Sequence, residues 1–197
     1  MTFKKISHKV GQAPGNLDYT GQMQEIVSTI VVRSYNESEF EESIVDNISS
    51  ISKLIENNNV NWIEYTGFNN VDEFTQIGDM FGLHSLLLED ILHTNHLPSF
   101  IESEDYSAII LKSFIVGNDG ELKENQVAIV IRDNTVILFQ ETSNEILRNK
   151  IERIRQGKGR ARKLKADYLF YIILDSFVDT YYLSFDELNN NVLSLEE

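Results

Sequence analysis

The 197-residue chain contains no cysteine. That excludes a disulfide framework, and it excludes zinc held through thiolate sulfur. Proline is nearly absent, with only two residues, Pro14 and Pro98. No run of about 18 apolar residues occurs, the length a membrane-spanning helix requires. The longest apolar stretches, 108–116 and 169–174, are too short and have polar edges. Met1-Thr2-Phe3-Lys4-Lys5 leads into no apolar segment, so no secretory signal is expected, and a cytosolic setting fits. Cations are outnumbered: 17 Lys and Arg stand against 31 Asp and Glu, a net charge of −14. This argues against nucleic acid as a main partner, because phosphate binding needs clustered cations. It is compatible with binding cations.

What is present is ordinary globular composition, 42% hydrophobic, enough for one sizeable domain or a domain with a helical extension. Residues 1–20 have no apolar period and read as a tail, tacked down by Phe3 and Ile6. Residues 25–35 are rich in β-branched side chains and predict a strand. Ser38, with Glu41 three residues on, resembles a capping box. Phe40, Ile44, Val45, Ile48, Ile51, Leu54 and Ile55 then recur at helical spacing, which predicts a helix over 38–56. A second strand is expected over 60–66, with Trp62 as a core or interface residue. Asn70 predicts the start of a helix that Gly82 stops. Strands follow over 106–116, 126–131 and 135–140. Gly117-Asn118-Asp119-Gly120 marks one turn, and Asp133-Asn134 a second, at which Asn tolerates the left-handed backbone. This order predicts a mixed sheet with helices covering its faces.

The last third changes character. A helix is expected over 145–156, broken at Gly157-Lys158-Gly159, and another from about Ala161 to the end. Nine Lys and Arg fall between Arg148 and Lys165. They read either as a docking surface for lipid headgroups or an acidic neighbour, or as a solvated corner balancing the acidic remainder. On the last helix Phe170, Leu174, Phe177, Tyr181, Leu188 and Val192 share one broad face. Asp175, Asp179 and Asp186 share another, with Glu197 on the same stripe. That stripe is either a solubilising face or a set of like charges relieved by cations or a basic neighbour.

The stretch on which the chemistry turns is His84-Ser85-Leu86-Leu87-Leu88-Glu89-Asp90-Ile91-Leu92, running on to Pro98. Leu86, Leu87 and Leu88 are expected to point inward, which leaves Glu89 and Asp90 at the rim of a rigid element. Two fixed acids suit a divalent cation or a basic partner, and are also common at helix ends with no role. His93 and His96, three apart and close to Asp90, would share a metal only on a helical turn, and Pro98 makes that segment a loop. Marks of an enzyme are lacking: there is no glycine-rich phosphate loop after a strand and no Gly-x-Ser-x-Gly elbow.

Leu88-Glu89-Asp90-Ile91-Leu92, with Thr94 and Pro98 after it, resembles the Leu-Glu-Asp-Ile-Leu-x-x-x-x-x-Pro signature of the CorA family of divalent-cation channels. Three further stretches agree in order and spacing. They are Gln126-Val127-Ala128-Ile129-Val130 with Leu138-Phe139-Gln140-Glu141; Ile151-Glu152-Arg153-Ile154-Arg155; and Ala166-Asp167-Tyr168-Leu169 leading to Leu174-Asp175-x-x-Val178-Asp179-x-Tyr181. The resemblance covers most of the chain from about residue 21. It implies an α/β/α sandwich over 21–145 with a mixed parallel and antiparallel sheet. C-terminal helices over 146–197 would then lead toward a stalk and two membrane helices. It further implies a homopentamer in the cell inner membrane, this portion cytoplasmic, in which Mg²⁺ between subunits holds the pore closed and Co²⁺ is also carried.

Carried over residue by residue, Asp90 with Glu89 matches the acidic pair at the inter-subunit cation site. Asp175 and Asp179 match helix acids at or near such sites. Mg²⁺ prefers oxygen ligands and keeps several waters, so a few carboxylates would hold it weakly and reversibly. The loop departs from the family: Asn95 stands where a histidine is frequent and Leu97 where a basic residue is, with His93 and His96 at neighbouring positions. The stalk, the membrane helices and the Gly-Met-Asn pore motif lie outside these residues. Two other readings stay open, a freestanding binding or adaptor domain and the corresponding part of a ZntB-like zinc transporter.

Overall fold

Among the described residues, seven strands form one sheet in the order β2-β1-β3-β7-β6-β5-β4. They are β1 (Thr29–Tyr35), β2 (Phe40–Val45), β3 (Val60–Thr66), β4 (Ser99–Glu102), β5 (Ser107–Val116), β6 (Leu122–Arg132) and β7 (Thr135–Gln140). The computed structural model describes residues 17–21, 27–116, 122–143 and 145–196. The contacts expected of Phe3 and Ile6, the start of the first strand at Glu25 and the turn at 117–120 lie outside the described residues. Two antiparallel sets, β2-β1-β3 and β7-β6-β5-β4, meet at one parallel pairing between β3 and β7. The mixed sheet is thus as the element order predicts.

Alternation along each strand sends side chains to two cores. Ile30, Val32, Ile63, Tyr65, Ala108, Ile110, Ala128, Val130, Ile137 and Phe139 enter the first. Tyr35, Trp62, Leu111, Val127, Ile129, Val136 and Leu138 enter the second. The first face is covered by α2 (Val71–Phe81) and α3 (Ser85–Leu92), with the short α1 (Ile51–Leu54) beside them. The second face is covered by α4 (Arg148–Arg155) and α5 (Ala166–Glu196). This is an α/β/α sandwich. No described helix is long and apolar enough to cross a membrane.

The helix expected over 38–56 does not form. Ser38 does not cap it: the side chain of Asn36 instead accepts from the backbone N–H of Ser38 and of Glu39, both at 2.9 Å. That turn feeds β2, which pairs with β1 from Tyr35↔Phe40 to Ile30↔Val45. Only then come a 3₁₀ turn at Ile48–Ser50 and α1. The apolar spacing at 40, 44 and 45 fits both periods, and pairing with β1 decides for the strand. Ile44, which a helix would have buried, is 77% exposed.

Local chemistry does set the limits of α2. Asn70 accepts from the N–H of Glu73, and Gly82 closes the helix in the left-handed region, with φ of 59°. The tight β6–β7 turn places the left-handed residue at Asp133, with φ of 52°, instead of Asn134. Asn134 turns its amide to the carbonyl oxygens of Glu56, Asn57 and Asn59. The final helix begins at Ala166, later than expected, because Gly157 and Gly159 both have positive φ and Arg162 folds back to the carbonyls of Ile154 and Arg155. In the second core Arg33 is buried between Glu42 and Glu64, each at 2.6 Å, with its guanidinium 4.7 Å over the Trp62 ring. A buried cation is tolerated only when paired in this way.

Candidate cation site

The N-terminus of α3 is held by His84, whose Nδ1 accepts from the N–H of Leu86. Leu87, Leu88, Ile91 and Leu92 are buried against the first face. Positions 87, 88, 91 and 92 form one helical stripe, so 86, 89 and 90 fall on the other side. Leu86 is therefore 46% exposed, contrary to the expectation that all three leucines point inward. Glu89 and Asp90 stand half-buried at the rim, as their place in the stripe predicts.

Backbone bonds fix the end of this helix. The Nε2 of Gln126, a buried residue of β6, lies 3.3 Å from the carbonyl oxygen of Asp90, 3.5 Å from that of Ile91 and 3.4 Å from that of His93. The carbonyls at a helix C-terminus lack partners within the helix, and this amide supplies a donor. Thr20 ties the loop from the other side. Its N–H donates to the Leu92 carbonyl at 3.2 Å, and its Oγ1 accepts from the Thr94 N–H at 3.0 Å. Lys112 of β5 reaches up to donate to the Thr94 carbonyl and pairs with Glu124 at 2.8 Å. Nearby, Tyr19 donates to Glu141 at 2.5 Å, and burial followed by that bond pushes its phenol far above the ordinary range.

Asp90 Oδ1 stands 3.4 Å from Nε2 of His96. The backbone N–H of His96 donates to the carbonyl of His93 at 2.7 Å, so both histidines sit in a tight loop at the end of α3 and not on a continuous helix.

Asp175 and Asp179 lie one turn apart on α5, in the opposite layer of the sandwich. Asp175 is half-buried with Lys150 Nζ 3.8 Å away, and Asp179 is exposed. The structure therefore brings Glu89 and Asp90 together, and Asp175 near Asp179, but the sheet separates the two pairs. Among the described residues no three His, Asp or Glu side chains are grouped to hold a metal ion. The side chains of Asp186, Leu188 and Val192, and Glu197 as a whole, lie outside what is described. Of the expected apolar face of α5, Phe177 is fully buried and Phe170, Leu174 and Tyr181 are partly buried. The inward stripe also carries Leu169, Ile172 and Ile173.

Reading the sequence misses Gln126, Thr20 and Lys112. The one available signal is Gln126 itself, a polar residue at the head of the otherwise apolar run Val127-Ala128-Ile129-Val130. Of the nine cations between Arg148 and Lys165, several are consumed within the molecule. Arg155 binds Glu42 and Glu152, Lys150 faces Asp175, Arg148 pairs with Glu145, and Arg162 caps α4.

The family model described as "CorA-like Mg2+ transporter protein" matches residues 57–197. The chain is 35% identical over 198 residues to the "Cobalt/magnesium transport protein CorA" of Thermotoga maritima; the match takes in 100% of this chain and 56% of that protein. The chain thus spans little more than half the length of this relative. The soluble domain of CorA from Methanocaldococcus jannaschii superposes with a TM-score of 0.61 at 17% identity, covering 89% of this chain and 65% of that one. The ZntB cytoplasmic domain from Vibrio parahaemolyticus superposes with a TM-score of 0.60 at 12% identity, covering 84% of this chain and 64% of that one. At such identities the two structures speak to the fold alone.

Proposed function

Since the chain belongs to the CorA-like Mg2+ transporter family, a family of transporters and not of enzymes, we propose that it is the cation-sensing part of a magnesium and cobalt channel. In this reading the chain works as a homopentamer on the cytoplasmic side of the cell inner membrane. Membrane segments outside these residues carry the ions. Mg²⁺ bound between subunits by Glu89 and Asp90 of one chain, with Asp175 and Asp179 as the helix acids that contribute at or near the same contact, keeps the pore closed.

One observation carries the reading. The two acid pairs that the family resemblance singles out lie in opposite layers of the sandwich, so a single chain does not assemble them. A cation that needs both must draw them from two chains, which ties occupancy to subunit arrangement. The donor set fits Mg²⁺: carboxylate oxygens at a half-open rim, with room for the waters that this ion retains. Weak binding suits a sensor of abundant ions, because a dissociation constant near 1 mM corresponds to only about 4 kcal/mol.

The test is Mg²⁺-dependent association and thermal stability of the chain. At about 10 mM Mg²⁺ and a dissociation constant near 1 mM, linkage stabilises by roughly 1.4 kcal/mol. That raises Tm by about 3–5 °C for a chain of this size. Asp90→Ala is expected to remove most of the shift and the accompanying rise in sedimentation rate. A variant that responds as the parent does would overturn the reading.

A further inference from the structure

The corner between α4 and α5 holds cations that the chain itself does not use. Arg153, Lys158, Arg160, Lys163 and Lys165 are exposed and form no ion pair among the described residues. Leu164, between the last two lysines, is 37% exposed. This corner stands apart in charge. Nine of the 17 Lys and Arg fall between Arg148 and Lys165 with a single acid, Glu152, so the rest of the chain keeps eight cations against 30 acids. The corner lies at one edge of the sheet. Arg155 reaches Glu42 of β2 at 2.6 Å, and the guanidinium groups of Arg155 and Arg162 stand 5.6 and 5.7 Å from the ring centroid of Phe40, also on β2.

Strand β4 is the opposite edge, six strand spacings or about 29 Å away. The turn that leaves it carries Glu102, Glu104 and Asp105, all exposed and also without an ion pair among the described residues. The Ser103 N–H closes this turn on the Tyr106 carbonyl at 2.9 Å, which leaves the three carboxylates unused. Phe100, two residues before Glu102, is 62% exposed. Because Ile101 packs on the first core, alternation puts Phe100 on the side of the sheet that carries α4 and α5.

We propose that Arg160, Lys163 and Lys165 of one chain dock on Glu102, Glu104 and Asp105 of a second copy, with Leu164 and Phe100 meeting inside the charged contact. The proposal takes the ring of chains from the reading above and needs no metal ion. Charge complementarity selects the partner, since outside its own corner a second copy is strongly acidic. Topology selects the place. A contact that joins opposite edges repeats around an axis and closes a ring, whereas corner meeting corner across β2 would stop at a pair. Each exposed ion pair is weak alone. Several facing charges fix register and speed encounter, and salt screens them over about 8 Å at physiological strength.

The chain has no cysteine, so an introduced thiol is unique. A chain carrying Lys163→Cys is mixed with one carrying Glu104→Cys under mild oxidation, and disulfide-linked unlike chains are expected to predominate over like ones. Sedimentation then reads association of Lys163→Glu/Lys165→Glu and of Glu104→Lys/Asp105→Lys. Each is expected to associate at least about 10-fold more weakly than the parent, because like charges are brought together. The chain with all four substitutions is expected to recover association. The four side chains are exposed and unpaired within the described chain, so every variant should keep the parent melting profile. Predominantly like-chain links, association indifferent to either reversal, or no recovery with all four substitutions overturns the proposal. Corner-dependent binding to phosphatidylglycerol vesicles in place of association overturns it too. Should the edge contact fail while Mg²⁺-dependent association still requires Asp90, the magnesium-sensing reading stands without it. An edge contact that survives Asp90→Ala in a chain with no Mg²⁺ response has the opposite meaning: the docking surface holds and the magnesium-sensing reading fails.

Discussion

The phenol of Tyr181 on α5 donates to the carbonyl oxygen of Lys112 on β5 at 2.5 Å. The same lysine extends its side chain through the other face of the sheet to the carbonyl of Thr94, in the loop after α3. One residue of β5 thereby touches both helical layers. Phe114 packs edge-on against the Tyr181 ring, with centroids 5.6 Å apart. Burial outweighs the backbone bond and pushes the Tyr181 phenol up, so it stays protonated and keeps donating.

Tyr181→Phe retains the ring and removes only that donor. It is expected to cost about 0.5–1.5 kcal/mol, the usual net worth of one such bond. Urea denaturation would read this as a lower midpoint with an unchanged slope.

Gln126→Leu keeps volume and loses the amide that serves the Asp90, Ile91 and His93 carbonyls. Leaving buried acceptors without a donor is expected to cost about 1–3 kcal/mol. Because the end of α3 is then less well held, the metal response of Asp90 should weaken although no ligand has changed. Hydrogen exchange of the His93 and Thr94 amides, faster in the variant, would check the local loosening.

Two glycines give expectations of different size for replacement by alanine. At Gly82 the backbone is left-handed, and an added Cβ would stand 2.5 Å from Nη1 of Arg132, whose guanidinium serves the Phe81 carbonyl. Gly82→Ala is expected to destabilise by about 1–2 kcal/mol from the backbone alone. At Gly78 the helix is regular and the obstacle is the tip of a side chain, Leu88 Cδ1 at 2.5 Å. There the gain in helix propensity, about 1 kcal/mol, opposes the crowding, and the net change should be the smaller of the two. Thermal melts of the pair decide this.

Acid sensitivity should centre on Glu42. Burial raises its pKa, but Arg33 and then Arg155 outweigh burial, and the folded carboxyl lies below its ordinary value. Such a group stabilises the fold above the unfolded-state pKa, about 4.3 for Glu, and that contribution is lost as pH falls through the folded value. Glu42→Gln is therefore expected to be less stable than the parent at pH 7, with the difference shrinking below about pH 4. A gap that stays constant from pH 7 to pH 3 would refute the assignment.

How far the sequence could be read depended on whether the deciding contact was local. Asn70 and Gly82 bound α2 because each acts on backbone within four residues. Glu89 and Asp90 are legible at a rim because the leucines beside them must be buried. Residues 38–56 are not legible in this way. Phe40, Ile44 and Val45 fit a helical period as well as a pleated one, and the partner that decides, β1, closes on them through an Asn36 turn that mimics a cap. The site is half-legible for the same reason. The acids follow from pattern, while Gln126 reaches Asp90 across 36 residues of chain, and the sheet that keeps Asp175 from Asp90 is a property of the whole fold.

The single parallel seam between β3 and β7 has a consequence for how the chain is made. β3 emerges from the ribosome with only β1 as a partner, and its other edge waits until Thr135–Gln140 has been synthesised. Trp62, Ile63 and Tyr65, fully buried in the finished molecule, stay on an open edge in the meantime. Non-local pairings of this kind slow folding, and open apolar edges invite pairing with other chains. A nascent chain halted before β7 should therefore be held by chaperones or lost to aggregation, whereas one released after Gln140 can close its sheet.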